Sequence, residues 1–265
     1  MPDKHKRIIG VISGKGGVGK TTISVNLSAI AASVGQDVVL IDGDMGNPSV
    51  GLHLGMWQAE TGLQDVLKGS STIEDAVRIH AATGVRIILS TLRYDRTVKT
   101  SRFKEVMEKM KHQFAIVDSP PGINTQVEDL LSGCTEAVIV VAPDMPSCTS
   151  AVKICELAEE VGCKIGGLVV NRVQNRKWEM HPEEIESACD MRVLAQIPED
   201  RIVPESIAAR IPAVIYSPRS AFAGSMSRLA MEMDIGKVHL GMGYGRGGGG
   251  PFGSLRAFIK RIFGV

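Results

Sequence analysis

The stretch from Gly14 to Thr21 constrains this chain more than any other. It reads Gly14-Lys15-Gly16-Gly17-Val18-Gly19-Lys20-Thr21, the spacing G-x-x-x-x-G-K-T. Its glycines let the backbone curl without Cβ clashes, so successive N–H groups converge on an anion. Lys20 is placed to reach the outer phosphates of a nucleotide, and the Thr21 hydroxyl to ligate Mg²⁺. A helix starting near Lys20 turns its positive end toward the same anion. The flanks agree. Arg7-Ile8-Ile9-Gly10-Val11-Ile12 is a short β-branched run, as a buried parallel strand requires. Beyond the loop, Ile23, Leu27, Ile30 and Ala31 recur at helical spacing.

The same alternation continues along the chain. Further apolar runs at 38–41, 85–89, 114–117, 137–141, 165–170 and 193–197 read as strands, the last near an edge. Helical patterns fall at about 22–33, 62–67, 72–79, 101–111, 124–132, 147–161, 181–188, 203–209 and 219–233. Strand and helix in turn predict an α/β fold: a doubly wound, mostly parallel sheet of about seven to eight strands. Ligands of such sheets sit beyond the carboxyl ends of the strands. Gly14, Asp42, Asp44, Asp118 and Asn171 all fall at such ends.

At 265 residues and 44% hydrophobic, the chain can bury a substantial core. A net charge of +1 does not predict a nucleic-acid binder. The five cysteines, Cys134, Cys148, Cys155, Cys163 and Cys189, contain no C-x-x-C, which argues against a disulfide framework or a zinc site of that spacing. They read as buried apolar side chains in a reducing compartment. No apolar run approaches the ~20 residues that cross a bilayer. The expected location is therefore cytoplasmic.

Two acidic patches end strands close to the loop. Asp118-Ser119-Pro120-Pro121-Gly122 follows an apolar run, so Asp118 is placed to bind Mg²⁺ and the Gly122 amide to sense a γ-phosphate. Asp42 and Asp44 straddle Gly43. Hydrolysis needs a group that holds water in line with the γ-phosphate. Asp44 is the candidate, and Asp42 is assigned to the metal shell.

These motifs together resemble the MinD/ParA family, whose mark is the early lysine of a deviant Walker A loop, here Lys15. The match runs on through Asp42-Gly43-Asp44, Asp118-Ser119-Pro120-Pro121-Gly122, Val169-Val170-Asn171-Arg172, Ile197-Pro198-Glu199-Asp200, Ile211-Pro212-Ala213-Val214 and Pro218-Arg219-Ser220-Ala221. It covers about 7–233. The resemblance implies a P-loop NTPase that hydrolyses ATP with Mg²⁺ and forms a face-to-face homodimer around two ATP molecules. Gly14, Lys15, Gly16, Gly17, Val18, Gly19, Lys20, Thr21 and Thr22 would cradle the phosphates. Thr21, Asp42 and Asp118 would serve the metal. Asn171, Arg172, Pro198 and Asp200 would line the base. Lys15, Lys20 and Asp44 would be catalytic, Lys15 by reaching the partner's phosphates as an arginine finger does. A guanine-type N-K-x-D is absent, since the chain has Asn171-Arg172-Val173-Gln174, so ATP is favoured over GTP. The first switch departs from septum-site relatives, with Asn47 and Ser49 as the two candidates for their asparagine.

Composition changes after Asp234. Residues 237–253 are glycine-rich and read as a flexible linker between an ATPase domain over 1–236 and a last segment over 254–265. In that segment Leu255, Phe258, Ile259, Ile262 and Phe263 fall on one helical face, with Arg256, Lys260 and Arg261 on the other face or its flanks. Twelve residues span only ~18 Å as a helix, too short to cross a bilayer but suited to lying in an anionic interface. The expected behaviour is therefore peripheral, on the cytoplasmic face of the cell membrane, together with a protein cargo or ATPase activator. The competing expectations are a partition protein binding nonspecific DNA, a flagellar-number relative, and an iron–sulfur carrier. The missing C-x-x-C argues against the last.

Overall fold

The structure is a computed structural model that describes residues 6–56, 59–92, 95 and 97–236. The expected linker and the expected terminal helix lie outside the described residues. Eight strands build one sheet: β1 (Arg7–Ile12), β2 (Val38–Asp42), β3 (Val77–Ile79), β4 (Arg86–Ile88), β5 (Phe114–Asp118), β6 (Glu136–Val141), β7 (Lys164–Val173) and β8 (Val193–Pro198). The helices are α1 (Lys20–Ser33), α2 (Val50–Leu54), α3 (Leu63–Lys68), α4 (Ile73–Ala76), α5 (Phe103–Lys109), α6 (Thr125–Ser132), α7 (Met145–Val161), α8 (Pro182–Cys189), α9 (Ile202–Ala208), α10 (Ala213–Tyr216) and α11 (Ala221–Glu232).

The strand order is β3-β4-β2-β5-β1-β6-β7-β8, and every neighbouring pair is parallel except β3 with β4. Strands that follow β1 up to β5 lie on one side of it, and β6 to β8 lie on the other. The side on which strands are added therefore switches about β1, which opens a crevice at its carboxyl end.

Alternation along the strands sorts side chains to two cores. Ile8 and Ile12 of β1 face one layer with α3, α5, α6, α7 and α8, while Ile9 and Val11 face the other with α1, α10 and α11. Both faces are covered, which is why the central strands read as continuous apolar runs.

One expected helix is corrected. The 72–79 pattern ends after one turn, and Val77–Ile79 pairs antiparallel with Arg86–Ile88 as an edge strand. Thr72 caps the short helix through the Asp75 amide, and β-branched Val77 and Ile79 flank Arg78 at strand spacing. The two short helices α2 and α10 were not expected. Trp178 is 78% exposed, with the Arg176 guanidinium 5.9 Å from its ring centre.

Candidate nucleotide-binding site

The loop leaves β1 at Ser13 and enters α1 at Lys20. Two of its glycines are demanded by close neighbours. A Cβ on Gly14 would lie 2.5 Å from the Ser150 Cβ of α7. Gly19 has φ of 96°, and a Cβ there would lie 2.2 Å from Asn171 Nδ2. The loop is therefore pressed between α7 on one side and the end of β7 on the other.

Its two lysines occupy different environments. Lys20 is buried and donates to Ser13 Oγ at 3.0 Å, while Ser13 donates to the Lys15 carbonyl at 2.7 Å. Burial pulls the Lys20 ammonium below its ordinary pKa, and Asp118 and Asp44 push back. Lys15 is 49% exposed at the rim and reaches Asp144 Oδ2 at 3.4 Å.

The strand-end carboxylates converge below the loop. Asp118 is wholly buried and accepts hydrogen bonds from Thr21 Oγ1 at 2.6 Å and Ser24 Oγ at 3.0 Å. Burial pushes its carboxyl up to about 6. Thr21 Oγ1 also lies 2.7 Å from Ser49 Oγ. Asp42 accepts from the amides of Asp44 at 3.3 Å and Val50 at 3.2 Å, and burial followed by nearby Asp118 raises its carboxyl well above its ordinary value. Asp44 accepts from the Asn47 amide at 2.9 Å, and burial raises it too. The Gly122 amide, expected to sense a γ-phosphate, instead donates to the Ser13 carbonyl at 3.1 Å and ties the second acidic segment to the loop.

This donor chemistry fits Mg²⁺. Buried carboxylates outnumber the buried cation beside them, and Thr21, Ser49 and Asp118 offer only oxygen. Among the described residues no three His, Cys, Asp or Glu groups form a metal cage. Mg²⁺ at nucleotide sites needs none, since it is held by one or two protein oxygens with phosphates and water.

On the other flank, Asn171 is buried and donates from Nδ2 to the Val18 carbonyl at 2.7 Å. Arg172, at φ of 62°, donates to the Gly17 carbonyl at 2.9 Å and pairs with Glu199 at 3.3 Å. Pro198 ends β8 opposite Val173 of β7, and Asp200 accepts from the Ile202 amide at 3.0 Å to start α9. Every expected site residue up to Asp200 thus falls on the carboxyl edge of the sheet. Sequence reasoning missed Ser13, Ser24 and Asp144, and named Ser49 only as one of two first-switch candidates. Ser24 lies one turn beyond Lys20 on α1, and Asp144 lies just beyond β6, where the strand-end rule applied to Asp118 and Asn171 would have found it.

A strand, a glycine loop and a helix carrying Lys20 and Thr21, with Asp118 on the adjacent strand, define a P-loop nucleotide-binding protein. A ParA family model, described as NUBPL iron-transfer P-loop NTPase, matches residues 4–234. An uncharacterized ATP-binding protein of Methanocaldococcus jannaschii is 32% identical over 229 residues, covering 85% of this chain and 86% of that protein. The septum site-determining protein MinD of Synechocystis is 34% identical over 207 residues, 75% of this chain and 76% of its own. The structure of septum site-determining MinD from Pyrococcus horikoshii, complexed with Mg-ADP, matches at a TM-score of 0.82 and 32% identity, covering 86% of this chain and 96% of that one. The chain belongs to the ParA/MinD family of P-loop NTPases. It is an ATPase of the MinD-like type, whose homologues include septum-site determinants.

Proposed function

We propose that this chain is an ATP-driven spatial organiser: ATP closes two copies face to face, the pair holds an anionic membrane and recruits a protein cargo, and hydrolysis releases both. One observation carries this reading. The loop splits its lysines, with Lys20 buried against its own subunit's carboxylates and Lys15 half-exposed at the rim. A cation presented outward from a phosphate cradle suits the partner's phosphates better than its own.

The placements support the following roles. The amides from Gly14 to Thr22, with Lys20, receive the phosphates. Thr21 and Asp118 would hold Mg²⁺, which when bound neutralises charge on the phosphate oxygens. Asp42 serves the metal region indirectly, because its two oxygens hold the Asp44 and Val50 amides and so fix the segment between them. Asp44 positions the attacking water. Asn171 spends its Nδ2 on Val18 and keeps Oδ1 for the amino edge of adenine, with Arg172, Pro198 and Asp200 around the base.

Membrane binding rests on residues 254–265, outside the described part. Among the described residues no helix is long and apolar enough to cross a membrane. One short basic helix binds marginally, and pairing two raises avidity by about 10²–10⁴-fold. Sedimentation with anionic liposomes tests this. Binding is expected with ATP and Mg²⁺, reduced with ADP, and abolished by deleting 254–265. Equal binding in ADP and ATP would refute the proposed switch.

A further inference from the structure

The seam between α7 and α8 is rich in sulfur. Cys148 Sγ, at the end of the first turn of α7, lies 3.9 Å from Met180 Sδ. Cys189, the last residue of α8, donates its Sγ–H to the Cys148 carbonyl at 3.7 Å, which sets its side chain beside Cys148. Farther along α7, Cys155 Sγ lies 3.2 Å from Met191 Sδ. Cys148 and Cys189 are both buried, so neither thiol faces bulk water.

We propose that Cys148, Cys189 and Met180 form a binding site for a soft monovalent metal ion, Cu(I). The donor set selects the ion. Two thiolates and a thioether are soft ligands, and Cu(I) prefers such sulfur donors. Zinc wants four tetrahedral donors. Among the described residues no three His, Cys, Asp or Glu groups surround one point, so a zinc cage is not available. A two-coordinate thiolate pair with a weaker third sulfur needs no such cage. Binding is a substitution without redox change: each thiol loses its proton to solvent as its sulfur bonds Cu(I), and the Met180 thioether adds as a neutral donor. The two thiolates and the ion leave one negative charge at the amino end of α7, where burial and nearby Asp144 push the Cys148 thiol up to about 12, so copper must displace the proton of a weak acid.

The position matters for the loop. Asp144 caps α7 by accepting from the Ser147 amide at 2.8 Å and pairs with Lys15, and Ser150 abuts Gly14. An ion at Cys148 sits within that same stretch of helix.

The test is anaerobic competition for Cu(I) between the full chain and the chromophoric chelator bicinchoninate. The wild-type chain is expected to withhold one equivalent of copper. Cys148→Ala and Cys189→Ala are expected to withhold none, while Cys163→Ala, outside the seam, withholds as wild type. Met180→Leu, a near-isosteric change that preserves packing, is expected to bind about 10–100-fold more weakly, the scale of a supporting group in a metal site. The proposal is overturned if the wild-type chain takes no copper, if copper retention survives loss of Cys148 and Cys189, or if Zn²⁺ is retained as well as Cu(I).

Discussion

Replacing Asp118 with asparagine should stabilise the metal-free protein while damaging its response to Mg²⁺. The wild-type carboxyl is wholly buried, and its pKa is pushed from 3.8 to about 6. The folded chain therefore holds this proton more tightly than the unfolded chain, so stability falls as pH rises from the unfolded to the folded value. Two units correspond to about 3 kcal/mol, fully lost above pH ~6. Asparagine is neutral throughout and matches the protonated carboxyl in shape. Its advantage over wild type should grow by about 1–1.5 kcal/mol between pH 5 and pH 7.5. Thr21 and Ser24 keep one acceptor between them, and the single Ser24 proton can turn instead to the Lys20 carbonyl at 3.0 Å, so the pocket retains partners. The assay is urea unfolding in EDTA at both pH values, repeated with Mg²⁺ and ADP. Wild type should recover stability with Mg-ADP, by about 2.7 kcal/mol at a hundredfold excess over Kd. The variant should recover much less. A variant less stable than wild type at pH 7.5 without Mg²⁺, or one with an undiminished Mg²⁺ response, would refute the argument.

Other consequences follow from single contacts. His53 of α2 is held down to about 4 by burial, against 6.5 in the unfolded chain, so its contribution is present above 6.5 and lost as pH falls toward 4. Wild type should lose about 3 kcal/mol more than His53→Gln between pH 7 and pH 4, read by urea midpoints; equal losses would contradict this. Gly19→Ala adds a Cβ 2.2 Å from Asn171 Nδ2 at a positive φ, and should cost about 2–5 kcal/mol with loss of nucleotide binding by calorimetry. Adding Asn171→Ala should recover about 1 kcal/mol or more of that, because it removes the clash but not the strain, and simple additivity would show that the two do not meet.

How much of this was legible without coordinates depends on sequence distance. The central strands declared themselves because burial on both faces leaves no polar alternation, and the loop because glycine and lysine spacing is local. Edge strand β3 was not legible, because Val77, Arg78 and Ile79 continue a capped helical pattern and only pairing with Arg86–Ile88 extends them. Helices α2 and α10 are each about one turn, too short for a periodicity. In the site, Asp118, Asp42 and Asn171 could be chosen because each ends a strand. The fates of their oxygens and nitrogens could not. That Asp42 grips Val50, that Ser49 meets Thr21, and that Lys15 of the loop finds Asp144 at the cap of α7 are tertiary facts with no local signature.

The central claim is that ATP joins two copies through the face that bears Lys15. The direct measurement is light scattering on size-exclusion eluates of Asp44→Ala, chosen to slow hydrolysis, loaded with ATP and Mg²⁺ or with ADP and Mg²⁺. The account predicts a mass of two chains with ATP and one with ADP, and one in both nucleotides when Lys15→Ala is added. A single-chain mass for Asp44→Ala saturated with ATP would contradict it.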